Sequence, residues 1–290
     1  MSIQFKNILI PVDFSINTEI AIKKGLELIN DSEAVIHLVH VITAAIPVFS
    51  ARVSLEDNVF PDRGEGEMGI KKLREWQHSI LETIPGLRVQ IHLFKGGKVR
   101  HLIATLARKL QPQLIIIGKH NYHNWFTFLN TIDPEKLGKL TNCPVLTVKT
   151  GSLHNKIKSI VFPVKCFVPN RKIDLLITIA KKYRARVYLV ILVNPVDEKP
   201  TPLYSAFIDT YRLLKSSLSC PIEHKVVTGT NLAKAALDFA QSINADMILV
   251  SQESETRISL LTGQQVNDVI KGNSKLEVLS VEPTITTFLN

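Results

Sequence analysis

Cysteine is scarce in this chain. Its 290 residues hold three, Cys143, Cys166 and Cys220, far apart and without C-x-x-C spacing. That excludes a disulfide framework and a cysteine-built zinc knuckle, and it fits a reducing compartment. Long apolar runs are missing too: none approaches the roughly 18–20 residues needed to span a bilayer. Residues Met1–Asn7 run at once into Ile8-Leu9-Ile10-Pro11-Val12. They show no charged n-region, apolar h-region and small-residue cleavage site. The expectation is a cytoplasmic protein without a membrane partner.

Signatures of chemistry are equally thin. There is no G-x-S-x-G elbow for a nucleophilic serine, and Cys143 precedes Pro144 without an evident histidine partner. His120 and His123 stand three apart, a chelating spacing on a helix, but only Asp133 follows them. His37 and His40 fall at odd separation on one strand and point to opposite faces. Neither a catalytic residue nor a metal site is expected. No zinc finger, helix-turn-helix or RNP-type aromatic signature is present, so no specific nucleic-acid partner is expected either. The net charge is +9, and ten basic side chains between Lys149 and Arg186 face Asp174 alone. That stretch reads either as a polyanion-attracting cluster or as a solvated helix face plus a linker.

What the chain does have is hydrophobic content, 45% against 21% charged, enough for the cores of two ordinary domains. It also has an internal repeat. Asn7-Ile-Leu-Ile-Pro-Val-Asp-Phe14 aligns with Ser159-Ile-Val-Phe-Pro-Val-Lys-Cys166, and Val35–Val41 aligns with Val187–Val193, both 152 residues apart. Gly96, Gln113–Ile117 and Pro144–Val148 align with Gly229, Asp246–Val250 and Glu277–Val281 at an offset of 133. The second copy is the first with a deletion after its second strand. Within each copy, short apolar runs alternate with amphipathic helical stretches, such as Lys98–Leu110 and Asn231–Ile243. Continuous apolar strands separated by helices imply parallel crossovers. The fold class is therefore α/β: two tandem doubly wound parallel-sheet sandwich domains, over residues 1–150 and 155–283. We expect the fifth strands, Val145–Val148 and Val278–Val281, to pair antiparallel about a pseudo-twofold axis, blunting two sheet edges at once.

Four segments carry a family resemblance: Ile8-Leu-Ile-Pro-Val-Asp-Phe-Ser15, Val39-His40-Val41, Leu114-Ile-Ile-Ile-Gly118 and Asn142-Cys-Pro-Val-Leu-Thr-Val148. In this order, and repeated in weaker form, they resemble the universal stress protein family in its tandem two-domain form. The resemblance covers residues 5–150 and, more weakly, 157–282. It implies an adenine-nucleotide-hydrolase-like, Rossmann-like α/β sandwich and a cytoplasmic role in stress response. In many members it also implies ATP at the carboxyl ends of the strands.

By that resemblance, Asp13 would contact the adenosine part, and the Val41 backbone would hold the adenine edge. In the second copy Lys165 replaces the aspartate, and an ammonium cannot accept a hydrogen bond. The family's phosphate element is G-x-x-G, nine residues, then G-S or G-T. Here Gly118 keeps the first position, Asn121 takes the second, and Thr131-Ile132 replaces the last pair. Ser251, Ser254 and Gly263-Gln264 stand at the corresponding places of the second copy. Lost glycines remove the turn geometry that lets amides approach a phosphate. The candidate vestigial nucleotide site is thus Asp13, Val41, Gly118, Asn121 and Thr131, with Lys119, His120 and His123 as supplementary positive charge. No cofactor is expected, ATP in the first domain being the alternative. The apolar loop Trp125–Leu129 reads as core, as a partner-binding patch or as a plug in the vacated pocket. The functional expectation is a non-enzymatic stress-response protein working through protein partners. An adenine-nucleotide-binding switch in the first domain is the second reading.

Overall fold

Apolar β-branched runs become strands here, and strong stop signals bound the helices between them. In the computed structural model, the described residues are 3–29, 33–42, 65–119, 129, 132–193, 201–252, 255–259 and 262–282. The first half runs β1 (Asn7–Pro11), α1 (Ile16–Leu28), β2 (Val35–Ile42), α2 (Glu65–Thr83), β3 (Arg88–Lys95), α3 (Val99–Leu110), β4 (Leu114–Gly118), α4 (Pro134–Thr141) and β5 (Val145–Val148). The second half repeats it as β6 (Ser159–Val164), α5 (Asn170–Tyr183), β7 (Arg186–Val193), α6 (Thr201–Ser217), β8 (Ile222–Thr228), α7 (Leu232–Ser242), β9 (Met247–Ser251), α8 (Val266–Val269) and β10 (Glu277–Val281).

Local chemistry explains where these elements start and stop. The Asp133 carboxylate accepts from the amides of Glu135 (3.0 Å) and Lys136 (3.1 Å), and Pro134 occupies the first turn of α4. Both features stabilise a helix start. Asn231 caps α7 in the same way through the Lys234 amide, at 2.9 Å. Gly96 and Gly229, aligned in the repeat, both adopt positive φ (73° and 152°) in the turn from the third strand to the third helix, a conformation glycine tolerates best.

The ten strands form a single sheet in the order β3-β2-β1-β4-β5-β10-β9-β6-β7-β8. Every pairing is parallel except β5 with β10, which run antiparallel with Leu146 opposite Leu279. The expected antiparallel meeting of the fifth strands is thus present. Interior strands β4, β5, β9 and β10 are buried throughout, whereas edge strand β8 exposes Glu223, His224 and Lys225. Charges on an edge discourage pairing with another chain.

One face of the sheet carries a core continuous across both halves, from Leu28, Leu73 and Leu146 to Leu175, Leu176 and Leu279. The other face carries two separate cores, one under α3 and α4 and one under α7. Buried charges also cross the seam. Lys24 of α1 lies 2.9 Å from Glu277 at the start of β10, both essentially inaccessible. Burial pulls the Lys24 ammonium down, but Glu277 and Glu27 outweigh it and its pKa is raised. Lys149, just past β5, donates to the carbonyls of Asn267 (3.1 Å) and Ile270 at the end of α8. Burial first, and then the charge of Lys119, lower Lys149 to about 8.

These contacts revise the reading of the basic stretch. Lys149 and Lys172 are buried, at 1% and 0% exposure. The Arg171 guanidinium donates to the Asn142 carbonyl at 2.6 Å and to its Oδ1 at 3.2 Å. The cluster is therefore not uniform: three of its cations hold the fold together, whereas Lys156, Lys158, Lys181, Arg184 and Arg186 are exposed. No helix among the described residues is long and apolar enough to cross a membrane.

Candidate functional site

In the first half the sheet order reverses at β1: β2 and β3 lie to one side, β4 and β5 to the other. Doubly wound sheets take ligands at such a point, outside the carboxyl ends of the strands. Asp13, Val41 and Gly118 stand there, just past β1, at the end of β2 and at the end of β4. Asn121, Thr131, His120, His123 and residues 125–128 of the apolar loop lie outside the described residues, while Leu129 is buried in the core under α3 and α4.

Asp13 organises the turn into α1. The Val12 amide still donates to the Val39 carbonyl (2.8 Å), after which the chain turns through Phe14 at φ +60°. Asp13 Oδ1 accepts from the Ser15 amide (3.1 Å), the Ser15 hydroxyl (2.5 Å) and the Thr18 hydroxyl (2.6 Å). Thr18 Oγ1 in turn accepts from the Asp13 amide at 3.2 Å. One carboxylate oxygen thus anchors the first turn of the helix. The other, Oδ2, is buried and has no hydrogen-bond partner among the described residues. A buried acceptor in that condition is costly unless something donates to it.

Val41 is buried at 1%. Its neighbour Ile42 accepts from the Gly96 amide (3.0 Å) on the β3 side, whereas Val39 accepts from Val12 on the β1 side. Backbone groups two residues apart on a strand point the same way. The Val41 amide and carbonyl therefore face the β1 side, beyond the point where β1 has turned away.

Gly118 has a packing reason for being glycine. A Cβ there would lie 2.1 Å from the Asn17 carbonyl oxygen, because the first turn of α1 rests on the end of β4. Lys119, the next residue, pairs with Asp268 of α8 at 3.3 Å. That pair crosses the seam between the halves.

An aromatic brace, which the sequence did not disclose, closes one side. His40 Nδ1 lies 2.7 Å from the Val12 carbonyl. Burial holds the imidazole below its usual pKa, so the neutral ring donates there. Its ring lies 4.5 Å from that of Phe14, which meets Trp76 edge-on at 5.5 Å. The Lys72 ammonium sits 5.3 Å from the Phe14 centroid.

The second half treats the same edge differently. The Ser251 amide, at the end of β9, donates to Glu255 Oε2 at 2.7 Å. The same oxygen accepts from Lys172 Nζ at 2.6 Å, and Nζ donates further to the Pro163 carbonyl at 2.7 Å. Nζ also stands 4.1 Å from the Phe162 ring centroid. Lys172 and Glu255 are buried to 0% and 1% exposure. Burial lowers the Lys172 pKa, and Glu255 opposes that shift. A signal for Lys172 existed: with Leu175, Leu176 and Ile179 it follows the i, i+3, i+4, i+7 spacing of a buried face. None marked Glu255 as its partner.

Cys143 is buried and donates to the Pro112 carbonyl at 3.1 Å, and burial pushes its thiol up to about 12. No group of three His, Cys, Asp or Glu side chains suited to a metal ion occurs among the described residues.

The model of the universal stress protein family matches residues 4–149. The chain belongs to the universal stress protein family. Universal stress protein A homolog 1 of Coxiella burnetii (strain RSA 493 / Nine Mile phase I) is 26% identical over 144 residues, 50% of this chain and 96% of that one. Among solved structures, a universal stress protein from Archaeoglobus fulgidus DSM 4304 superposes with a TM-score of 0.68 at 14% identity, covering 97% of both chains. A putative universal stress protein from Pseudomonas aeruginosa UCBPP-PA14 gives a TM-score of 0.56 at 15% identity, covering 96% of this chain and 94% of its own. At these identities the two structures speak for the tandem fold alone. Within that fold, Asp13, Val41 and Gly118 stand at the strand ends of the first half, and the Lys172–Glu255 pair stands at those of the second.

Proposed function

We propose that this universal stress protein is a non-enzymatic cytoplasmic stress-response protein, acting through protein partners recognised by its two-half scaffold. The halves, residues 1–150 and 155–283, serve as an intramolecular dimer about the β5–β10 seam. The observation that carries this reading is the internal use of the charged groups at the strand ends. Lys119 is spent on Asp268, and Lys172 on Glu255. A phosphate-handling enzyme needs such cations free to stabilise developing charge. The sequence supports the same view, since Asn121 and Thr131-Ile132 replace the small residues of a phosphate loop.

One observation favours the second reading, an adenine-nucleotide switch. Asp13 Oδ2 is a buried acceptor with no partner among the described residues, well suited to a ribose hydroxyl or an amino group. Calorimetric titration of adenosine, AMP and ATP into the wild type and Asp13→Ala separates the two. The degenerate-site reading expects no heat up to millimolar nucleotide. Micromolar binding lost in Asp13→Ala would replace it with the switch. Turnover of ATP lost in the same variant would overturn the non-enzymatic assignment.

A further inference from the structure

The Lys172–Glu255 pair has no counterpart in the first half. At the offsets of the repeat, Ile20 stands for Lys172 and Tyr122 for Glu255. Both charges of the pair therefore occur at these positions in the second half only, and both are buried. Burying an ammonium costs several kcal/mol unless an anion and further acceptors compensate. The compensation comes from a residue four positions past the end of β9, on the segment where the phosphate element of a nucleotide site would run. The donors that meet Glu255 Oε2, a strand-end amide and a lysine ammonium, are those that elsewhere receive a phosphate or carboxylate ligand. A third donor stands unused: Ser251 is 3% exposed, and its hydroxyl has no partner among the described residues.

We infer that the second half contains an occluded anion site, built from Lys172 Nζ and the Ser251 amide and hydroxyl, which the chain fills with its own Glu255 carboxylate. The carboxylate is the permanent occupant, so the second half takes no external anion. This chain then has at most one ligand edge, that of the first half. The inference rests on reading the carboxyl ends of β6 and β9 as a ligand edge. It does not depend on whether the first half binds nucleotide.

Chemical rescue tests it. Glu255→Ala removes a group the size of acetate while leaving Lys172 and Ser251 in place. The full-length variant is expected to melt several degrees below wild type. Sodium acetate should restore most of that loss saturably, whereas sodium chloride at matched ionic strength should not. The wild type should respond to the two salts alike, and Lys172→Met/Glu255→Ala should show no acetate-specific rescue. Inorganic phosphate in place of acetate then reports whether the site also takes a phosphate-sized anion. Acetate acting no better than chloride would overturn the proposal, as would rescue that persists without Lys172. Should Glu255→Ala fail to fold, Glu255→Gln serves. Its urea midpoint should fall, and Lys172→Met/Glu255→Gln should recover it; a double variant no more stable than the single would reject the pairing. Failure here leaves the nucleotide titration of the Asp13 site untouched, because Asp13→Ala reads only the first half.

Discussion

Glu135 opens α4 beside the Asp133 cap, in a helix position that ordinarily welcomes a carboxylate. It is nevertheless 7% exposed. Burial, with the nearby charges of Asp133 and Asp268, raises it from the usual 4.5 to about 7, against the lowering effects of Thr256 and Arg257. Glu277 is raised to about 7 as well, by burial first, while Lys24 opposes the shift. Between pH 4.5 and 7 the folded chain therefore holds protons that the unfolded chain has released, and stability falls as pH rises through that window. Glu135→Gln should flatten the fall without abolishing it, because Glu277 remains. Urea unfolding at pH 4 and pH 8 checks this. The variant should match wild type at the lower pH and exceed it at the higher, by up to about 3 kcal/mol. Lys149 acts in the opposite sense: lowered to about 8, its penalty is complete below that pH and fades toward 10.5.

Among the elements, α1 shows how a candidate site residue can also carry a packing duty. Gly118 has the place of a phosphate-loop glycine, and that is how the pattern reads. Its contact with the Asn17 carbonyl gives it a duty that holds with or without a ligand. Gly118→Ala would drive α1 off the end of β4. We expect a loss of roughly 3 kcal/mol in urea denaturation, as for other overpacked core positions. The turn anchored by Asp13 would move with the helix, since Ser15 and Thr18 both hold that carboxylate. Gly118→Ala should therefore weaken anything Asp13 binds, even though residue 118 need not touch it.

For the whole molecule, the seam decides cooperativity. The antiparallel β5–β10 ladder, the Lys24–Glu277 pair and the core shared by α1 and α5 join the two halves. Both tryptophans, Trp76 and Trp125, belong to the first half. Tryptophan fluorescence consequently reports one half, while far-ultraviolet circular dichroism reports both. The two urea midpoints should coincide, as one cooperative unit requires. In Lys24→Met, which leaves Glu277 buried without its cation, both midpoints should drop together. Separate midpoints in the wild type would mean that the halves unfold independently.

The repeat and the strand pattern, by themselves, determined the fold class, the order of elements and the antiparallel meeting of the fifth strands. Those features follow from periodic burial and from two offsets separated by one deletion, and periodicity is written along the chain. The places of Asp13, Val41 and Gly118 at one edge were legible for the same reason: parallel strands of a doubly wound sheet end together. Only the tertiary structure decided what those groups are free to do. Lys119 reads as positive charge beside a candidate phosphate position, and only the fold brings Asp268, 149 residues away, against it. Lys172 belongs to a basic cluster until Glu255 is found 83 residues on, and Lys149 until the carbonyls closing α8 surround it. A charge's availability depends on which distant group shares its burial, and no local pattern encodes that partner.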